Sequence, residues 1–328
     1  MEYYYKEQDS AIWRGPFSEA DIKNYRDESI FVPVYNYSSQ DYIIETLQTK
    51  RLKISLPSKM NDPFECLFAQ EEFSDEEILT LIRSYPHLSQ EQKLTLENSN
   101  EKRAFVAQHC ILSDNEIYES MDRTALFRSF TKYKIATIND NLLWSHYAKD
   151  HTGLRIGYKW NLCFNPKDEL QGGCYFLDDV IYSENRPIIP KNLRGIPPER
   201  ARKFMLDNAK TKSTVWAYED EIRLFVAPPA ALQEAGVECF TESRTDSRLL
   251  IMESQIIEEN GLTFLKFHPG NIFSIDFGCR CPYEFKQSVL EVVKEKYPHI
   301  TVSEAVLPRN GYVLEYPQII SPQSDVDR

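Results

Sequence analysis

The sequence predicts a mixed α+β fold. Three observations carry that prediction: short strand-like runs spread along the chain, helical repeats that fall between them at no fixed interval, and no regular strand–helix–strand alternation. Hydrophobic residues make up 42% of the 328 residues and aromatics 12%, which is enough to pack one large domain or two small ones.

The elements follow in order. Residues 1–30 read as an appendage, in which a tyrosine-rich strand, a turn and a strand ending in Gly15-Pro16 precede Ser18. Ser18 caps a short helix, with Asp21 in the acidic capping-box position. The main domain is expected over 31–320. It opens with a short strand at Val32, Val34 and Tyr35, then a helix from Ser39 to Lys50 with Ile43, Ile44 and Leu47 as its buried stripe. The strand "RLKISLP" runs into the loop "SKMNDPFE", where Pro57 and Pro63 break regular structure and Asn61-Asp62-Pro63 favours a turn.

Residues 74–130 read as a charged helical insertion starting at Ser74, with Glu77 at the capping-box position. Strands are expected at "KIATIND", "TGLRIGYKW" and "GCYFLDDVIYS", followed by the proline-rich connector "RPIIPKNLRGIPPER". The helix "PERARKFMLDNAKTK" leads into a strand from Val215 to Val226, closed by Pro228 and Pro229. Short strands at "TFLKFHP" and "IFSIDFGC" come next. In "PYEFKQSVLEVVKEKYP", Phe285, Val289, Val292 and Val293 recur at helical spacing. A last strand, "ITVSEAVL", leads to a tail expected to be disordered over 321–328.

A formal net charge of −12 argues against bulk contact with nucleic acid or anionic membrane, while a local basic pocket stays open. No apolar h-region stands in "MEYYYKEQDS", and no apolar run reaches bilayer length. Seven scattered cysteines predict reduced thiols in a cytoplasm. Cys279 and Cys281 form a lone C-x-C without a second pair, so no metal is predicted. No P-loop or G-x-G-x-x-G is present.

Three constellations carry chemistry. In "KSTVWAYEDEIRLFVAP", strand alternation puts Trp216, Tyr218, Ile222, Leu224 and Val226 on one face and Ala217, Glu219, Glu221 and Arg223 on the other. The second face is either a solvated surface or the floor of a site. Close carboxylates there raise each other's pKa while Arg223 lowers both. In "NDNLLWSHYAKDHTGLRIGY", Trp144 and Tyr147 flank Ser145 and His146. A helical reading puts Leu143, His146 and Tyr147 on one face, with His146 either a ligand anchor and proton donor or a core histidine. In "SLPSKMNDPFEC", Ser55, Ser58, Asn61 and Asp62 either present hydroxyls and N–H groups to a ligand or form a structural turn.

Together and in this order the three blocks resemble the bacterial family of unknown function DUF2971. The matching residues are Tyr35 and Tyr37, Ser55, Pro57, and Asn61 to Glu65; then Asp140-Asn141, Trp144 to Ala148, His151, Gly153, and Ile156 to Tyr158. Val180, Tyr182, Lys212, Trp216, Tyr218, Glu219, Glu221 and Arg223 complete the set. The resemblance covers roughly residues 31–310.

A looser resemblance is to ADP-ribosyltransferase-like folds, which bind NAD in a cleft between small mixed or antiparallel sheets and carry a late-strand E-x-E. It implies an enzyme that cleaves NAD and transfers ADP-ribose to a protein or nucleic-acid acceptor, as several toxins and antiphage defence factors do. It places Tyr35 or Tyr37 near the ribose, and Trp144 and Tyr147 on a base or nicotinamide. Ser55, Asn61, Asp62, Ser145 and Arg223 would border the pocket. Glu221 would bind the nicotinamide ribose and stabilise positive charge, with Glu219 orienting the acceptor and His146 in reach for proton transfer. The sequence departs from that pattern in lacking an arginine-plus-S-T-S set and an H-G-T block. Two other readings stand beside it. One is a metal-dependent nuclease or phosphodiesterase using Glu219, Glu221, Asp62 and Glu65. The other is a non-catalytic ligand sensor.

Overall fold

The computed structural model describes residues 3–6, 13–17, 30–110, 112–124, 126–134, 136–161, 174–189, 198–227, 249–250 and 256–320. The expected Ser18–Asp21 helix cap and the 321–328 tail lie outside these residues. In chain order the strands are β1 (Tyr3–Lys6), β2 (Trp13–Phe17), β3 (Ile30–Ser38), β4 (Arg51–Ile54), β5 (Ala69–Gln70), β6 (Leu126–Lys132), β7 (Leu154–Asn161), β8 (Cys174–Asp179) and β9 (Ile181–Ser183). They continue as β10 (Ile188–Ile189), β11 (Thr211–Ser213), β12 (Glu221–Ala227), β13 (Leu249–Leu250), β14 (Ile256–Glu259), β15 (Leu262–Lys266), β16 (Ile272–Phe277), β17 (Thr301–Glu304) and β18 (Gln318–Ile320). The α-helices are α1 (Ile43–Thr49), α2 (Asp75–Ser84), α3 (Gln90–Glu97), α4 (Lys102–Cys110), α5 (Asp114–Thr124), α6 (Asp140–Tyr147), α7 (Pro198–Ala209) and α8 (Tyr283–Lys296).

The fold is mixed α+β, as the irregular spacing of the elements predicts, and it divides into two compact units. The first comprises 1–55, 126–180 and 215–328; the second comprises 56–125 and 181–214. An eleven-stranded sheet, larger than the small sheets expected, organises the first unit in the order β13-β8-β12-β6-β3-β7-β16-β17-β18, with β1 paired to β2 and to β3. Described pairings in this sheet are antiparallel except β16–β17, which α8 connects as a crossover. A separate antiparallel sheet, β14-β15-β4, completes the unit.

Side-chain alternation gives the large sheet two unlike faces. Val34 pairs with Tyr158, and Phe130 with Ile222, so one face carries the buried apolar set of Val32, Val34, Phe130, Ile156, Tyr158, Ile222 and Leu224. Phe267 packs edge-on against Tyr158 there, with ring centroids 5.7 Å apart. The opposite face carries Tyr35, Tyr37, Ser129, Thr131, Arg155, Glu221, Arg223, Ser274 and Asp276. Helix α6 lies on this polar face, where Trp144 meets Tyr37 edge-on at 5.2 Å.

Three expectations are corrected. The helical insertion does not run to residue 130: α5 ends at Thr124, and Leu126–Lys132 is β6, which joins β3 to β12 inside the sheet. Buried contacts on both faces override the helical reading of this charged region. "KIATIND" forms no strand among its described residues; instead Thr137 leads into α6 and its hydroxyl donates to Asp140 Oδ1 at 3.1 Å. The strand expected from Val215 is a 3-10 helix over Thr214–Glu219, and extended backbone begins only at Glu221. Asp220 makes the joint with φ 46°, its N–H donating to the Ala217 carbonyl at 3.2 Å. Lys132 and Lys134 hold its carboxylate at 3.6 and 3.3 Å.

In the second unit, β5 pairs with β10 and β9 with β11, both parallel. Ile78, Ile82 and Val106 form an apolar cluster between α2 and α4. Ser74 caps α2 with the reciprocal Glu77 contact that the sequence predicts, and Ser89 with Gln92 repeats the device on α3.

Candidate functional site

Arg155 is the charge centre of the polar face. It is 5% exposed, its Nε donates to Asp276 Oδ2 at 2.9 Å, and Nη1 lies 3.5 Å from Asp140 Oδ2. Nη1 also donates to the Tyr37 hydroxyl at 3.3 Å, while the guanidinium sits 4.0 Å from the Tyr35 ring centroid and 4.2 Å from that of Tyr316. Burial opposes the charge, but Asp276 and the tyrosines more than offset this and hold its pKa well above the ordinary arginine value. Burial raises the pKa of Tyr35 and Tyr37, and lifts Tyr316 to about 12, so these rings stay neutral beside the cation.

This cage orients α6. Asp140 on its first turn is tied to Arg155, and Trp144 one turn later packs on Tyr37 and donates Nε1–H to the Tyr316 hydroxyl at 2.9 Å. Helix α6 then ends in an unusual turn: Lys149, Asp150 and His151 all have positive φ, at 48°, 54° and 67°. Such backbone is strained for residues with a Cβ and persists only when its surroundings fix it. Here two glycines do so by close approach. A Cβ on Gly153 would stand 2.1 Å from the Ser38 carbonyl oxygen, and one on Gly278 would stand 2.1 Å from that of His151. His151 stacks on Trp144, and its Nε2 is 3.3 Å from Ser145 Oγ. Burial, with Arg280 adding to it, lowers the His151 pKa, so the ring is neutral at pH 7 and Nε2 accepts from the serine in the matching tautomer.

At the last turn of α6 the side chains meet the 3-10 segment. The Tyr147 hydroxyl donates to Glu219 Oε1. The exposed His146 places Nδ1 3.2 Å from the Tyr218 hydroxyl, and Trp216 lies next to Tyr218 with centroids 6.2 Å apart. Glu219 is buried, so Tyr147 satisfies a carboxylate held largely out of water. Glu221 and Arg223 pair on β12. Arg223 Nε donates to Glu221 Oε1 at 2.7 Å, both are essentially buried, and the guanidinium lies 4.3 Å from the Phe127 ring centroid.

The sequence-predicted residues therefore fall into distinct groups. Tyr35, Tyr37 and Trp144 belong to the Arg155 cage, and Trp144 is fully buried. His146, Tyr147 and Glu219 come together, while Ser145 points to His151. Glu221 and Arg223 pair inside the sheet. Glu219 and Glu221 do not share a strand face, because the Asp220 joint separates them. Ser55 exchanges backbone hydrogen bonds with Phe127. Asn61 and Asp62 belong to the second unit, where Asn61 is exposed and Asp62 Oδ1 accepts from the Phe64 N–H at 2.9 Å. Among the described residues, no group of three or more His, Cys, Asp or Glu is placed to hold a metal ion, and no helix is long and apolar enough to cross a membrane.

Sequence reasoning passed over Arg155, Asp276 and Tyr316 as site-forming residues. Arg155 and Asp276 lie in recognised strand runs, but no local pattern marks their pairing. Residues 143–224 match the model of the family described as protein of unknown function (DUF2971), the family that the sequence motifs resemble. No curated protein and no solved structure matches the chain.

Proposed function

We propose that the protein cleaves NAD at the nicotinamide–ribose bond and transfers ADP-ribose to a macromolecular acceptor, with Glu219 as the working carboxylate. The observation that carries this reading is the Tyr147–Glu219 hydrogen bond beside the exposed His146–Tyr218 pair. It favours Glu219 over Glu221, because Glu221 is bonded to Arg223 Nε within the buried sheet.

In the reaction, the C1–N bond to nicotinamide breaks and its electron pair leaves with the ring. Positive charge grows at C1 of the ribose, where a fixed carboxylate in a poorly hydrated setting is most effective. The Tyr147 hydroxyl fixes the Glu219 carboxylate. The half-buried rings of Trp216 and Tyr218 offer faces to the nicotinamide, a role that the buried Trp144 is not placed to fill. The acceptor's nucleophile then bonds to C1 and gives its proton to His146 Nε2, in the tautomer where Nδ1–H donates to the Tyr218 oxygen.

Nicotinamide release from NAD is the test, with cell lysate as the source of acceptor. Glu219→Gln is expected to lower the rate by roughly 100-fold with little change in melting, and Tyr147→Phe by roughly 10-fold with a loss of stability of about 1 kcal/mol, because it takes a donor from the buried Glu219 carboxylate. Glu221→Gln is expected mainly to destabilise, because it leaves Arg223 buried with a weakened partner. No release together with no NAD binding by calorimetry would refute the reading.

A further inference from the structure

Ser145 and His151 form a pair that the Glu219 reading leaves unused. Ser145 Oγ lies 3.3 Å from His151 Nε2, within the looser reach that a nucleophile and its base show before substrate binds. The backbone is bent to make this contact. Helix α6 ends at Tyr147, and three successive residues with a Cβ, Lys149, Asp150 and His151, then take the left-handed conformation. Each is disfavoured alone, and backbone of this kind collects at sites where a side chain must be held in one place.

Two contacts fix the histidine. Its ring stacks on Trp144, with centroids 6.1 Å and planes 12° apart, and its carbonyl accepts from the Arg280 N–H at 3.1 Å. Trp144 is itself fully buried and bonded through Nε1 to Tyr316. An aromatic face thus orients the base, where a Ser-His-Asp triad uses a carboxylate. Among the described residues Nδ1 has no hydrogen-bond partner and is sealed from solvent. Two charges act on the ring: Arg280 opposes its protonation, as burial does more strongly, and Asp150 favours it. Ser145 and His151 are half-buried and Arg280 is exposed, so the pair stands at a surface that a substrate can reach.

We propose that Ser145 is a nucleophile for acyl transfer from carboxylic esters, with His151 as its general base. The site does not depend on the NAD reading. Oγ bonds to the ester carbonyl carbon as its proton passes to His151 Nε2; the alcohol then leaves with the C–O electron pair and takes that proton, and an acyl-serine remains. The field of Arg280 favours the negative charge that grows on the carbonyl oxygen. With no described carboxylate at Nδ1 to stabilise the imidazolium, slow acylation is expected, not rapid turnover. The test treats the full chain with a fluorophosphonate, whose phosphorus takes the Oγ bond as fluoride leaves, and with 4-nitrophenyl acetate. Peptide mass spectrometry is expected to find the phosphonate on Ser145, and Ser145→Ala to lower nitrophenolate release at least about 10-fold. His151→Asn keeps a residue that tolerates positive φ and is expected to slow labelling about 100-fold with the circular dichroism unchanged. In the unsubstituted protein, the labelling rate should rise with pH to a plateau whose midpoint lies below the ordinary histidine value of about 6.5. A serine that only hydrogen-bonds for structure would show neither the label nor that profile. Phosphonate absent from Ser145, nitrophenolate release unchanged in Ser145→Ala, equal labelling of His151→Asn, or a rate still climbing above about pH 8 would each overturn the proposal.

Discussion

Arg155 carries a full charge at 5% exposure, and its neighbours surround much of the guanidinium: Asp276 at Nε, Asp140 and Tyr37 at Nη1, and the Tyr35 and Tyr316 rings about 4 Å from its centre. Removing it would strand Asp140 and Asp276 in a buried site. Arg155→Met is therefore expected to destabilise the protein by about 3–5 kcal/mol, read as a lower urea midpoint. A loss under about 1 kcal/mol would mean that the aspartates find other compensation. Tyr35 and Tyr37 were legible in the sequence as a spaced pair, yet their partner was not. Asp276 lies 121 residues from Arg155, and pairing over that separation leaves no trace in local periodicity. The same limit applies to Glu219 and Tyr147, 72 residues apart, although each stood out by residue type.

At the scale of elements, the turn after α6 depends on two backbone contacts that admit no side chain. Gly153→Ala and Gly278→Ala each drive a Cβ to 2.1 Å from a carbonyl oxygen, so something in the backbone must shift. Each is expected to lower stability by about 1–3 kcal/mol, and NMR should show the largest shift changes at 148–153. Wild-type melting of either variant would show that the turn yields more easily than its geometry implies. The sequence marked Gly153 within its H-x-G block but gave no reason for Gly278, whose contact is with a distant segment. Helix caps were legible because they are local: Ser74 and Glu77 sit three residues apart. The N-G hairpin signal is equally local. Asn260-Gly261 joins β14 to β15 with both residues at positive φ, the conformation that N-G favours in two-residue loops. The error over 214–219 has the opposite origin. β-branched and aromatic residues there suit a strand by propensity, and the backbone turns instead, with Asp220 at φ 46° and its N–H bonded to the Ala217 carbonyl.

At the scale of the molecule, the α+β class was legible because it rests on composition and spacing. The division into units was not, since each unit is assembled from separate stretches of chain. The family match at 143–224 cuts across the same arrangement. It holds β7, β8 and most of β12, but β3 and β6, which stand between β7 and β12 in the sheet, lie outside it. Expressed alone, that segment is expected to give an amide spectrum without dispersion, whereas the full chain is dispersed; a dispersed fragment would mean that β7 and β12 find another pairing. The interleaving bears equally on any attempt to trim the protein. The chain passes between units at 55/56, 125/126, 180/181 and 214/215, so no single truncation from either end releases one unit whole. To isolate the sheet unit, two internal stretches must be excised and the ends rejoined. The Ser55–Phe127 backbone pair, hydrogen-bonded in both directions, offers a ready splice for the first of them.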